Sequence, residues 1–265
     1  MYIKINGDTK SIKLGTTNIS KVYVGTNQVW PSETTGDNLI TYDGVTYTMV
    51  DNIDPNQLCY KSDWRIDLKD GTQLTISNTT KVTSVILKSC DSSITTINNN
   101  FLYNCSSLTS VDLSGLTSVT TINGSFLSIC TSLTSIDLSG LSSVTTISFG
   151  FLYNCSSLTS VDLSGLSSVT SIDAGFIDGS NKITKIDLST LTSVTSIGSN
   201  FLRNSSFLTE ITLFNKSPTT FTTSIYDFMK DVPTTIPMYC LAEYETDYKT
   251  TSPWSTRASQ IQVKS

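Results

Sequence analysis

Apolar residues return along this chain at a fixed step of 25. Phe101, Phe126, Phe151, Phe176 and Phe201 form one column, and Leu108, Leu133, Leu158, Ile183 and Leu208 form the next. Val111, Ile136, Val161, Ile186 and Ile211 follow, then Leu113, Leu138, Leu163, Leu188 and Leu213. Three shorter columns close the unit: Leu116 to Leu191, Val119 to Val194, and Ile122 to Ile197. The stretch FLYNCSSLTSVDLSGL occurs twice unchanged, at 101–116 and 151–166. A degenerate earlier unit holds Val82, Val85, Leu87, Ile94 and Ile97, with one residue of slippage inside it. The unit reads F-L-x-x-C-x-x-L-x-x-[VI]-x-L-x-x-L-x-x-V-x-x-I. Its apolar positions line one side only, so a single copy closes no core and each copy must be covered by the next.

Within the unit, LTSVDLS alternates in its second half, with Val111 and Leu113 inward and Ser110, Asp112 and Ser114 outward. That alternation predicts a strand. FLxxC is expected to be a short helical turn, and SGL and INGS to be corners. Asn104, Asn154 and Asn204 are expected to be turn residues that satisfy backbone groups. Stacked copies place like residues about 4.8 Å apart, the spacing of adjacent strands. The fold expected is therefore a β-rich solenoid of about five 25-residue units over residues 76–215.

The ends carry different patterns. Residues 39–75 open with NLITYDGVTYTMV, a hairpin about Asp43-Gly44, and are expected to cap the array, with Trp64 and Ile66 plugging its first unit. Residues 216–265 are expected to cap the other end with short helices: Leu241, Tyr244 and Tyr248 share a helical face, and Ser252-Pro253 starts a last helix. Residues 1–31 hold two related turns, LGTTNI and VGTNQV, each a hairpin by its pattern. They form a small β module too short to build a large core alone, and residues 32–38 read as a linker. Such a module is expected to pack on a partner or on copies of itself.

The repeat resembles the BspA-like branch of the leucine-rich repeat family. The Fxx-C element ahead of L-x-x-[VI]-x-L and the following L-x-x-V-x-x-I run carry the likeness over residues 76–213. The closing segment, with its strand and Y-K…W helix, resembles the terminal element of such arrays. The unit departs from the family in its length, 25, and in LSGL where proline is common. Separately, KVYVGTNQVWP resembles short N-terminal modules of bacteriophage tail and virion-surface proteins. That resemblance implies anchoring through Tyr23, Val24, Gly25, Val29 and Trp30 to other virion proteins, a virion-surface location after synthesis in a host cytoplasm, and homo-oligomers. The repeat would then serve as a spacer or attachment surface toward a host protein or glycan. The other expectation is a BspA-like adhesin on a bacterial or protist surface, against which MYIKINGDTK offers no basic and apolar secretion signal.

Composition narrows the chemistry. The chain has a net charge of −5 and only 15% charged residues, so no basic stripe awaits nucleic acid. No apolar run is long enough to insert in a membrane. There is no histidine, which removes the commonest general base and metal ligand, and no carboxylate pair is poised for glycoside chemistry. The expectation is a non-enzymatic protein without cofactor, catalytic residue or resident metal. Cys105, Cys130 and Cys155 share a column that reads as small core residues rather than a metal or redox ladder. One outward strip remains as a candidate binding surface: Ser110, Asp112, Ser114, Ser135, Asp137, Ser139, Ser160, Asp162, Ser164 and Asp187. Neighbouring carboxylates about 5 Å apart repel by roughly 0.8 kcal/mol in water, which a solvated face tolerates and a weakly held cation or polar ligand would relieve.

Overall fold

A computed structural model describes residues 37–59, 64–220, 222–223 and 226–264, together with four strand backbones nearer the N-terminus. The chain divides into two compact units, Met1–Asp37 and Asn38–Ser265. In the first, Ile12–Leu14 pairs antiparallel with Thr17–Ile19, and Val22–Val24 with Asn27–Trp30. The expected anchoring positions Tyr23, Val24, Val29 and Trp30 lie on the second pair, whereas Gly25 and linker residues 32–36 lie outside the described residues.

The second unit is a β-rich repeat built from parallel ladders. Two-residue strands at Thr96–Ile97, Thr121–Ile122, Thr146–Ile147, Ser171–Ile172, Ser196–Ile197 and Thr222–Thr223 pair in order into one parallel sheet. Every isoleucine of this ladder is buried, and the Thr or Ser before it is half-exposed. The register advances by 25 from Ile97 to Ile122, but by 26 from Val85 to Val111, which is the slip visible in the degenerate first unit. The core is one continuous cluster, with Phe101, Phe126, Phe151, Phe176 and Phe201 stacked at centroid distances of 5.1, 5.3, 5.5 and 5.7 Å. Phe228 extends the stack by a sixth ring at 5.8 Å, outside the columns read from the sequence because an insertion moves it to 27 residues after Phe201.

The LTSVDLS segment is strand only in places. Ser110–Asp112 pairs with Val82–Ile86, Lys185–Asp187 with Glu210–Thr212, and between them a single bridge joins Asp137 and Asp162. The aspartates mark where the segment ends in every copy, paired or not. Each accepts the backbone N–H two residues on, Ser114, Ser139, Ser164 and Ser189, at 2.8–2.9 Å, and so turns the chain out of the strand. The chain then enters SGL, which forms a 3-10 turn at Ser139–Leu141 and Ser164–Leu166. Gly140 and Gly165 press against the preceding repeat so closely that a Cβ would lie 2.2 and 2.1 Å from the carbonyl oxygens of Leu113 and Leu138.

FLxxC is not the helical turn expected. Its backbone alternates in handedness: positive φ occurs at Asn100, Leu102 and Asn104, at Ser125, Leu127 and Ile129, and at Gly150, Leu152 and Asn154. The pattern continues through Gly175, Ile177 and Gly179, Asn200, Leu202 and Asn204, and Asp227, Met229 and Asp231. The N–H of the outer two members points to the following repeat and that of the middle member to the preceding one. Ser125 donates to Phe149 O at 2.8 Å, Ile129 to Tyr153 O at 2.8 Å, and Leu127 backward to Phe101 O at 2.8 Å. A third hydrogen-bonded ladder thus replaces the helix. The asparagines tolerate the left-handed region. The buried Leu and Ile members do not, and they are held there by burial and by the ladder.

The segments flanking the repeat carry a hairpin at one end and short helical turns at the other. Leu39–Tyr42 and Val45–Thr48 form the hairpin, turning at Asp43 and Gly44 with φ of 49° and 79°. Leu39–Tyr42 also pairs antiparallel with Val82–Ile86, and Trp64 and Ile66 are buried in the core. At the other end, Glu245–Thr250 is helical and Trp254–Gln260 forms 3-10 turns. Tyr248 is buried there, but Leu241 is 40% exposed, because it precedes the helix in extended conformation instead of sharing its face. Trp254 closes the aromatic stack edge-on, 4.8 Å from Phe228 and 5.3 Å from Tyr248.

Candidate binding face

The repeat brings the sequence-predicted strip together as a column. Ser110, Ser114, Ser135, Asp137, Ser139, Ser160, Asp162, Ser164 and Asp187 are exposed and Asp112 half-exposed, with register placing Asp137 beside Asp162. Each aspartate already holds one carboxylate oxygen on a backbone N–H, and Asp187 also accepts from Ser189 Oγ at 2.6 Å. The bonds from Ser139, backbone first, hold the Asp137 carboxyl below its ordinary range. Lys88 Nζ stands 3.8 Å from Asp112. The strip is therefore a ladder of side-chain-capped turns whose second oxygens face solvent. Among the described residues, no group of three or more Cys, Asp or Glu is arranged to hold a metal ion.

The cysteine column lies inside. Cys105, Cys130 and Cys155 are buried free thiols. The thiols of Cys130 and Cys155 donate to Leu102 O and Leu127 O at 3.2 Å, and Ser180 Oγ continues the pattern to Leu152 O at 3.0 Å. Burial pushes the Cys155 thiol up to about 12 and raises Cys105 and Cys130 well above their ordinary range, so the column offers no thiolate near neutrality. The column supports the ladder of alternating handedness by taking the carbonyls of the left-handed Leu102, Leu127 and Leu152.

Three features escaped the column pattern. Threonines recur beside the isoleucine ladder: Thr120, Thr145, Thr170 and Thr195 donate their hydroxyls to the carbonyl of the equivalent residue one repeat back, at 3.0–3.2 Å. Thr109, Thr159 and Thr209 do the same on the other side. The repeat of Thr in the sequence was the available signal. Second, Asp178 is buried and accepts from Arg203 Nη2 at 2.7 Å, Arg203 Nε at 3.0 Å and Asn204 Nδ2 at 3.0 Å. Those bonds raise the Arg203 pKa, Asp178 contributing most, and Arg203 reaches on to Asp227 at 3.4 Å. This ionic link ties three successive repeats where Tyr or Ser stands in other copies. Third, Phe149 and Tyr153 are 53% and 39% exposed on the ladder of alternating handedness.

Parallel ladders stepping by 25 residues around one phenylalanine stack define a leucine-rich repeat protein. The chain belongs to the BspA-type leucine-rich repeat family: the profile described as "BspA type Leucine rich repeat region" matches six copies over residues 73–173 and 141–237, more than half of the chain. No curated protein matches the chain significantly.

Proposed function

We propose that the protein is a non-enzymatic solenoid that displays a binding surface, with residues 1–31 as its anchor and as its site of self-association. Six stacked family repeats carry this reading. A stack in which each repeat contacts only its neighbours gives a long regular surface at little cost in core design, and interaction proteins use such surfaces. Its polar groups are largely spent on turns and ladders rather than gathered into a reacting centre. No helix among the described residues is long and apolar enough to cross a membrane.

The narrower form of the proposal places the protein on a bacteriophage virion, as a fibre or decoration protein attached to other virion proteins and directed at a host-surface protein or glycan. Its support is the likeness of KVYVGTNQVWP to virion-surface modules. Mass spectrometry of purified particles tests it: peptides from both units should copurify with capsid and tail proteins. Recovery in a bacterial surface fraction, with none in particles, replaces it with the second reading, a BspA-type surface adhesin, which the family membership supports. Release of soluble sugars from host envelope material by the purified chain would overturn the non-enzymatic reading.

A further inference from the structure

We propose that residues 98–104, 123–129 and 148–154 form a ledge that binds an extended neutral glycan, with the Phe149 and Tyr153 rings at its centre. The proposal deepens the display reading and rests on it. Hydrogen bonding fixes where the rings stand. The carbonyls of Gly124, Phe149 and Ala174 accept from Asn100, Ser125 and Gly150, and those of Ser128, Tyr153 and Asp178 accept from Asn104, Ile129 and Asn154. These are two parallel columns separated by the buried Leu102, Leu127 and Leu152. Phe149 and Tyr153 therefore flank Leu152 on one edge of one repeat, and both rings reach solvent.

Phe149 is also held in place. Its ring lies against Gly124, where a Cβ would come within 2.3 Å of Cζ. The tip of the ring rests against the Gly124 backbone while the residue remains 53% exposed. A ring fixed before binding loses little freedom on binding.

The surroundings select the ligand. NNNFLYN, NGSFLSI and SFGFLYN hold no charged residue, and no Lys or Arg occurs anywhere in residues 89–181. The cation at the edge of the ledge, Arg203, is already engaged by Asp178 and Asp227, so phosphate, sulfate and carboxylate ligands would compete with two carboxylates for it. A protein interface gathers its aromatic residues into a contiguous apolar centre. Here the positions beside the rings are Asn99, Gly124, Ser125 and Asn154, with the ion-paired Asp178 following Tyr153 in its column. Aromatic faces set among amides and hydroxyls match a pyranose, whose C–H face is apolar and electropositive and whose rim is hydroxylated. Tyr103 occupies the column of Tyr153 two repeats earlier, and the intervening steps, read from the phenylalanine stack, are 5.1 and 5.3 Å. Successive units of an extended polysaccharide advance by a similar step, so alternate sugars would meet Tyr103 and Tyr153.

Affinity electrophoresis of the full chain tests this, in gels holding hydroxyethyl cellulose, galactomannan, a soluble β-1,3-glucan or dextran, with dextran sulfate as the anionic comparison. At least one neutral polymer should retard the protein. Phe149→Ala with Tyr153→Ala should weaken that retardation tenfold or more, and Gly124→Val, which displaces the Phe149 ring, should weaken it too. Phe207→Ala, which removes an exposed ring outside the ledge, should leave it unchanged. Thermal melts of each variant confirm that the fold is kept. Retardation by no neutral polymer, by dextran sulfate alone, or equally in the double variant overturns the proposal. Loss of glycan binding with the protein still present on particles leaves the display reading standing, and glycan binding by a protein absent from particles does the reverse.

Discussion

Arg257 should be the residue on which the C-terminal end of the repeat depends most. In the interior, the carbonyls of each ladder of alternating handedness are met by a neighbouring repeat. After the last one no repeat follows, and Arg257 takes its place: Nη2 donates to Met229 O at 2.7 Å and Val232 O at 3.2 Å, and Nη1 to Pro233 O at 3.1 Å and Gln260 Oε1 at 3.2 Å. Burial lowers its pKa, but a guanidinium stays charged throughout the neutral range. Hydrogen bonds from a charged donor contribute about 1.5–3 kcal/mol each when tested singly, and they share one cation here, so Arg257→Ala should cost about 4 kcal/mol. For a unit of this size that lowers Tm by about 8–16 °C. The loss should also be local, because a repeat array opens from an uncapped end. Hydrogen exchange should therefore quicken in residues 228–240 before residues 126–151. Arg257→Lys, which lacks the planar fork, should recover less than half of the loss. A fall in Tm under about 3 °C, or loss of protection spread evenly over all repeats, would refute the capping argument.

Other outcomes follow from the interior. Ser205 continues the cysteine column, but its buried hydroxyl has no partner, so Ser205→Cys should raise stability by about 1 kcal/mol in urea titration. Ile177 is β-branched at φ 57°, where four other repeats carry leucine, and Ile177→Leu should stabilise by about 0.5–1 kcal/mol, read the same way. The raised thiols make stability depend on alkaline pH. Below the ordinary cysteine value of 9.0 both states hold their protons; above it the unfolded chain ionises first, so stability falls as pH rises from 9.0 toward the folded-state value of about 12 at Cys155. Urea midpoints measured from pH 8 to pH 11 should decline, and more shallowly in Cys155→Ala than in the unchanged chain.

Much of the repeat was legible because stacking imposes identity on core columns. Phe126, Leu133, Leu138, Val144 and Ile147 are all buried, as their period implies, and the Asp43-Gly44 turn lies where its dipeptide places it. The aspartate column was legible as a position but not as a role, because spacing does not reveal that Asp137 holds the N–H of Ser139 and so turns the chain just after its bridge to Asp162. The FLxxC segment misled for a different reason. Periodicity reads burial of period 2 or 3.6, and in this ribbon Phe101 and Leu102 are buried in succession and Tyr103 and Asn104 half-exposed in succession, so its two-residue backbone repeat leaves no alternating pattern. Local preference also points the wrong way, since a left-handed leucine or isoleucine costs roughly 1–2 kcal/mol. The fold answers with an inter-repeat bond, worth about 0.5–1.5 kcal/mol, and with burial of the same side chain, worth roughly 1.5–3 kcal/mol. Both terms exist only when a neighbouring repeat is in place. A single unit therefore carries the strain without either compensation, which ties the ribbon to the stack and accounts for the near-identity of successive copies. A substitution at Leu102 or Leu127 disturbs a backbone strain and two neighbours at once, whereas one at the exposed Phe149 or Tyr153 meets no positive φ of its own. These positions do differ between repeats: Phe149 stands where other copies carry Asn99, Gly124, Ala174 and Ser199, and Tyr153 where they carry Tyr103, Ser128, Asp178 and Arg203.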